Sequence, residues 1–444
     1  MTVEDEYVEI RGISREPLGK LAVQGWLAWP ETDAVVAALT KDGAEVRFVG
    51  GCVRDAVARR QPAGDAVDID MATPLAPEDV MARLETANIR VIPTGLKHGT
   101  VTAVVGDRKF EITTLRRDTE TDGRHARVEF TDDWIEDARR RDFTFNAMSC
   151  NPQGDVYDPF EGMPDLAHGI VRFVGRADER VREDYLRILR FFRFWGAYGR
   201  PPANANALAA CRAHAAKLSE LSGERVREEL LKILAVPQPA EVILMMRGYG
   251  VLDQILPEAG QVTRLRLINW LTTRAVVLDG VAPDGLRNLA ALLDTDAEGA
   301  AGVAARLRLS NAQTDRLITL VAPEEKPSPD LGDVDREKLL RHIGTETFRD
   351  LVLLGWADEM GGMTRLPSAR AAAWTELLAW ALAWEGAAFP LKGQDLLDLG
   401  VAPGPRVGEV LKRVETWWAD GGYSADRGAC LDLARRIIGG DHPT

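Results

Sequence analysis

Two aspartates, Asp68 and Asp70, stand one residue apart at the start of the run DIDMAT, and the double glycine Gly50-Gly51 precedes them in FVGGCVRD. On a strand, residues two apart project to the same face, so the two carboxylates lie side by side. Such a pair repels itself unless something positive lies between, and a divalent cation is the usual remedy. Glycines accept the positive φ and close backbone approach that a phosphate-gripping turn needs. Arg54 and Asp55 follow on the first helical turn. These residue types in this order suit an enzyme that handles phosphates with a metal.

Two further groups could do chemistry. In ARRRDFTFNAM, Asp142 and Asn146 are four apart, an i, i+4 pair if the run from Trp134 to Met148 is helical. An acceptor and a donor on one face suit recognition of a sugar hydroxyl, and they equally suit helix capping or an ion pair. In RADERVREDYLRILRFFRFWGAYG, Glu183, Asp184 and Arg187 are spaced for ion pairs along one long helix starting near Asp178. A carboxylate beside a guanidinium also matches the donors and acceptors of a nucleobase edge.

The elements that must hold these groups follow from hydrophobic pattern. Glu45 to Val49 is a short strand before the glycines, and Pro77 to Ala87 has helical spacing. Gly99 to Val105, a Gly106-Asp107 turn and Lys109 to Leu115 make a hairpin whose return strand carries Glu111. In a mixed sheet, Glu111 is either a third acid near the Asp pair or an edge residue with an arginine partner. Thr119 to Glu129 is polar, contains Gly123 and reads as a loop over a site. Ile170 to Val174 reads as a strand, and Gly223 to Leu234, GERVREELLKIL, as an amphipathic helix. Beyond Pro201 the pattern is helical to the end.

Composition sets the outer bounds. A chain of 444 residues exceeds one ordinary core. With 45% hydrophobic and 28% charged residues it reads as soluble and globular, and no apolar run has the length of a membrane span or secretory signal, so the expected compartment is cytoplasmic. Four cysteines without a CxxC pair point to reduced thiols. The net charge of −13 argues against coating nucleic acid indiscriminately, while arginines clustered between Arg116 and Arg193 provide a local basic strip for a phosphorylated substrate.

Taken together these segments resemble the class II CCA tRNA nucleotidyltransferase and bacterial poly(A) polymerase family, a branch of the DNA polymerase beta superfamily. FVGGCVRD with DIDMAT is similar to its first motif, GLKHGTVT to the next strand, and DGRH at Asp122 to His125 to its flexible loop. RRDFTFNAM resembles the ribose-selecting motif, DPFEG the hinge motif, EDYLRILR the base-templating motif and GERVREEL the helix after it. Asp65 precedes the Asp pair, but only DIDMAT keeps the motif's local pattern.

The resemblance implies an α+β fold, an N-terminal mixed β-sheet nucleotidyltransferase head followed by an all-helical neck, body and tail. The expected divisions are an extension over 1–30, a head over 31–150, a neck over 151–235, a body over 236–360 and a tail over 361–444. The implied activity is addition of CMP, CMP and AMP from CTP and ATP to the tRNA 3′ end, with Mg2+ as cofactor; poly(A) addition, or CC-only or A-only addition, is the alternative. Asp68 and Asp70 would hold the metals, and Gly50, Gly51 and Arg54 would grip the triphosphate. Asp142, helped by Arg141 and with Asn146, would read the ribose, and Asp184, Arg187 and Arg190 would meet the base.

Overall fold

A computed structural model describes residues 13–22, 24–60, 67–121, 126–276, 278, 281–385, 389–423 and 425–439, with backbone alone over 118–121 and 126–128. Asp65, the DGRH segment and residues 1–12 of the expected extension therefore lie outside the described residues. The chain forms two compact units. The first comprises Met1–Val262, Asp284–Asp294 and Gly302–Ser310, and the second Thr263–Pro283, Thr295–Ala301 and Asn311–Thr444.

The first unit is built on an eight-stranded sheet. Its strands are β1 (Gly19–Lys20), β2 (Arg47–Val49), β3 (Ile69–Thr73), β4 (Arg90–Gly95), β5 (Thr100–Val105), β6 (Arg108–Thr114), β9 (Ser149–Cys150) and β10 (Asp155–Tyr157). A separate hairpin pairs β7 (Arg116–Thr121) with β8 (Ala126–Phe130). The sheet order is β1-β10-β9-β2-β3-β6-β5-β4. Only β3 and β6 run parallel, and their register sets Asp70 opposite Glu111. The sheet draws in residues on both sides of the expected 31–150 span, through β1 and β10. Alternation explains the central strands: Ile69 and Met71 are buried while Asp70 points the other way, and Phe110 and Ile112 flank Glu111 in the same manner. Burying Phe48, Met71, Phe110 and Ile112 contributes about 1.5–3 kcal/mol each.

The helices that matter here are α1 (Pro30–Thr40), α2 (Gly51–Val57), α3 (Pro77–Thr86), α4 (Trp134–Arg139), α5 (Gly162–His168), α6 (Ala177–Glu183), α7 (Leu186–Tyr198), α8 (Ala205–Ala213) and α9 (Gly223–Leu234). Several differ from the expected pattern. The helix expected over Trp134 to Met148 stops at Arg139: Phe143 is extended (φ −117°, ψ 149°) and Thr144–Asn146 is a 3-10 turn. The Asp142 carboxylate accepts from the Phe143 N–H at 2.9 Å, the local side-chain bond that lets aspartate compete with a helix. The long helix expected from Asp178 is likewise broken at Asp184 (φ −156°, ψ 108°), whose side chain accepts from the Leu186 N–H at 3.1 Å. Residues 116–130 are strands on either side of the undescribed segment rather than a loop throughout. The strand expected at Ile170 to Val174 reduces to a single bridge, Phe143 to Phe173.

Aromatic packing fastens the irregular stretch after α4 to α7. Phe143 lies 4.7 Å from Phe173, 5.7 Å from Phe145 and 5.2 Å from Phe194 between ring centroids. At the DPFEG turn, Asp158 accepts from the N–H groups of Gly162 and Met163 at 2.6 and 2.7 Å and so starts α5. A Cβ on Gly162 would meet the Thr144 carbonyl oxygen at 2.5 Å, so the two turns touch backbone to backbone.

The second unit is helical over its described residues. Arg316 binds Asp350, which is 2% exposed, and a C-terminal cluster packs Leu396, Val414, Trp418, Cys430 and Leu433 together. Trp374 and Trp418 are core residues there, whereas Trp417 is exposed.

Candidate active site

The glycine turn, β3, the stretch after α4 and the face of α7 converge on one cavity of about 400 Å3. Gly50, Gly51, Arg54 and Asp70 line it from the sheet side, and Arg141, Asp142 and Asn146 from the turn after α4. Asp184, Arg187 and Arg190 line it from the neck side. Asp68 lies one residue before β3, exposed, and is not part of the lining. A larger hollow of about 840 Å3, lined by residues such as Phe160, Phe173 and Arg180, holds none of the expected site residues.

Gly50 has φ +73°, and a Cβ there would come within 3.2 Å of Asp70 Oδ2. Only glycine fits both the backbone and the clearance. Asp70 is pushed up to about 6, first by burial and then by the charges of Glu111 and Asp68, with Arg141 pulling the other way. Among the described residues no group of three His, Cys, Asp or Glu side chains is placed to hold a metal alone. Mg2+ commonly binds through one or two carboxylates and completes its shell with water and substrate phosphates. Hard oxygen donors whose mutual repulsion a cation would relieve fit such an ion. Glu111, left between two readings by the sequence, is exposed and stands beside Asp70, on which its charge acts. Beneath, the Cys52 thiol touches the Val49 carbonyl at 3.2 Å, and burial pushes it up to about 12, an inert thiol.

Arg54 is held on several sides. Its Nε and Nη2 each donate to Asp55 at 3.0 Å, Nε also donates to the Tyr198 hydroxyl at 2.9 Å, and Nη1 donates to Asn146 Oδ1 at 3.0 Å. Asn146 Nδ2 donates to Asp142 Oδ1 at 2.9 Å, so these two meet although no helix carries them. Asp142 Oδ2 accepts from Arg190 at 2.6 Å through Nε. Burial works to raise Asp142, but the Arg190 charge and these hydrogen bonds hold its carboxyl below the ordinary value.

Arg141 lines the cavity beside Asp142, and its guanidinium is engaged by a neighbouring carboxylate. It donates to Asp137 at 3.0 Å, and Arg140 donates to the same carboxylate at 2.8 Å. Asp137 is 3% exposed, and both guanidiniums keep it ionised. The spacing of Asp137 to Arg140 and Arg141, three and four residues, was a visible signal. At the neck end, Asp184 pairs with Arg225 of α9 at 2.7 Å, while Arg187 donates to Glu183 at 2.6 Å and to the Arg180 carbonyl at 2.9 Å. Glu183 and Arg187 thus form the anticipated pair, bridging the break rather than riding one helix.

Arg193, expected only as part of the basic strip, also lines the cavity, as does Phe194, and Glu229, which the sequence did not single out, is 4% exposed and stands 2.7 Å from Arg193 and 3.6 Å from Arg190. Arg193 continues the three-residue spacing of 184, 187 and 190. Glu229 lies in GERVREEL, but its partners come from another helix and have no local signature.

Comparison with known proteins adds to this geometry. A family model described as the poly A polymerase head domain matches residues 46–172, and one described as the probable RNA and SrmB-binding site of polymerase A matches 204–261. The chain is 34% identical over 401 residues to CCA tRNA nucleotidyltransferase 1, mitochondrial, of Danio rerio, covering 88% of this chain and 87% of that one. It is 32% identical over 413 residues to the Homo sapiens protein of the same name, covering 89% and 88%. Among solved structures, the Bacillus stearothermophilus CCA-adding enzyme in complex with CTP superposes with a TM-score of 0.66 at 26% identity, covering 92% of this chain and 97% of that one.

Proposed function

The chain belongs to the class II CCA tRNA nucleotidyltransferase and poly(A) polymerase family, and from that premise we propose how its own residues carry the reaction. It is a nucleotidyltransferase that adds CMP, CMP and AMP from CTP and ATP to the tRNA 3′ end without a nucleic-acid template. The observation that carries the residue assignment is that Gly50, Arg54, Asp70, Asp142, Asn146, Asp184, Arg187 and Arg190 all line one cavity.

The reaction joins the tRNA 3′ oxygen to the α-phosphorus of the incoming nucleotide and releases pyrophosphate. The family depends on a divalent metal, and Mg2+ is the ion we assign. Asp68 and Asp70 would hold it, and when bound it would make the 3′ hydroxyl a better nucleophile and offset charge on the leaving group. Gly50 and Gly51 let the triphosphate approach the backbone, and Arg54 grips it. Asp142 orders Asn146 and Arg190 around the ribose. Its carboxylate already accepts from the Phe143 N–H, Asn146 and Arg190, so the sugar is met by this cluster as a unit. Asp184 and Arg187, fixed by Arg225 and Glu183, offer their remaining acceptor and donor capacity to the base edge.

No helix among the described residues is long and apolar enough to cross a membrane, and the four cysteines are free and buried. Reduced thiols favour a cytoplasmic site of action, although the animal relatives above are named as mitochondrial.

The test is to supply a tRNA lacking its last three nucleotides with Mg2+ and CTP, ATP or both. CTP alone gives two additions, and both together give CCA and then arrest. A ladder of A residues on unrelated RNA would overturn the reading.

A further inference from the structure

Arg54 and Asp55 are adjacent on α2, and adjacent residues on a helix do not face each other. Yet they form a two-point ion pair with both contacts at 3.0 Å. A third group explains it. The Tyr198 hydroxyl, arriving from the C-terminal turn of α7, donates to Asp55 Oδ1 and accepts from Arg54 Nε at 2.9 Å. A phenol can give one proton and accept others, so a single oxygen satisfies both charged partners. Its ring is held independently, with Arg60 stacked 4.0 Å from its centroid and Phe145 5.8 Å away.

The same helix reaches Arg54 by a second route. Arg190 of α7 binds Asp142, Asp142 binds Asn146, and Asn146 accepts from Arg54 Nη1. Tyr198, Arg54, Asn146, Asp142 and Arg190 therefore close a ring of hydrogen bonds whose last side is α7 itself. Arg54 is 13% exposed and points into the nucleotide cavity from this ring.

We propose that Tyr198 is a positioning residue for nucleotide binding: it fixes the Arg54 guanidinium against Asp55, so that the triphosphate grip is set by the neck helix as well as by the glycine turn. The proposal rests on the assignment of Arg54 to the triphosphate. Because the triphosphate is common to both substrates, loss of the hydroxyl must weaken CTP and ATP alike, unlike a defect in base reading.

The decisive variant is Tyr198→Phe, which keeps the ring and its packing. Steady-state kinetics on the full-length protein would use tRNA lacking CCA with CTP, and tRNA ending in CC with ATP. A hydrogen bond to charged groups lost on this substitution raises KM about tenfold for each nucleotide, with kcat changed less than about threefold and the thermal midpoint nearly unmoved. Asp55→Asn, which removes the charge but leaves an acceptor, gives a smaller rise in the same parameter. An unchanged KM in Tyr198→Phe, a change for one nucleotide only, or a loss that follows the thermal midpoint overturns the proposal. Arg54→Ala separates the two levels: if it leaves both KM values unchanged the triphosphate assignment itself fails, whereas if it raises both and Tyr198→Phe raises neither, only the role of Tyr198 fails.

Discussion

The two ends of the nucleotide cavity are built on opposite principles. At the sheet end, Asp70 faces two other carboxylates, its charge is resisted by its surroundings, and Asp68 stands exposed. At the neck end, Asp142 is ringed by donors and Arg190 and Arg193 gather around Glu229. The first is charge awaiting a counter-ion. The second is charge already matched, which keeps its shape before substrate arrives. Under the proposed reaction, the end assigned to metal and pyrophosphate turns over its charge in every cycle and can stay unbalanced, while the end assigned to the base has to stay fixed.

The contrast predicts that the same loss of one carboxylate has opposite structural consequences at the two ends. Asp70→Asn should cut CMP and AMP transfer by about three orders of magnitude or more, as expected for loss of a metal ligand. It should also raise the stability of the metal-free protein at pH 8. The sign follows from Asp70 being raised from 3.8 to about 6: the folded state holds the proton more tightly, so stability is lost as pH rises through that window and is not regained above it. Urea denaturation of both proteins at pH 8 checks this, and a destabilised Asp70→Asn would break the comparison. In the wild type, the apparent Mg2+ affinity should fall as pH drops below about 6.

Asp142→Ala should instead unfold the protein more readily, by about 3–5 kcal/mol, because it leaves the Arg190 charge poorly matched in a largely buried setting. Denaturant midpoints measure it, and a stability equal to wild type would show the neck end to be less tightly matched than its geometry indicates. Smaller again is Arg187→Ala. It should lower CTP and ATP use about ten- to hundredfold while relaxing discrimination against UTP and GTP, read from competing incorporation into one tRNA. An equal loss for all four nucleotides would detach Arg187 from base selection.

Much of the sheet end was legible because its signals are local. Alternation, a glycine turn and a hairpin put Asp70 and Glu111 on their strands with Asp68 just before one, and the helix Gly223–Leu234 has the boundaries its pattern implied. The neck end was less so. Apolar positions such as Ile188, Leu189 and Phe192 keep helical spacing, which hides a break at Asp184 that interrupts the helix for only two residues. At Asp142 and Asp184 alike, a short carboxylate bonds the backbone next to it and diverts the chain from the helix that the spacing suggests. Tyr198, Arg225 and Glu229 act on partners distant in sequence. Residue type alone could not pair them.

The contact at Gly162 bears on how the molecule can deform. Gly162 has no clearance from the Thr144 carbonyl, so the turn that starts α5 and the turn that carries Asn146 behave as one stiff joint. Compression there meets a hard wall, and movement of either turn carries the other along as a lever. A displacement of the cluster proposed to face the sugar would thereby be geared to α5, far from the proposed chemistry.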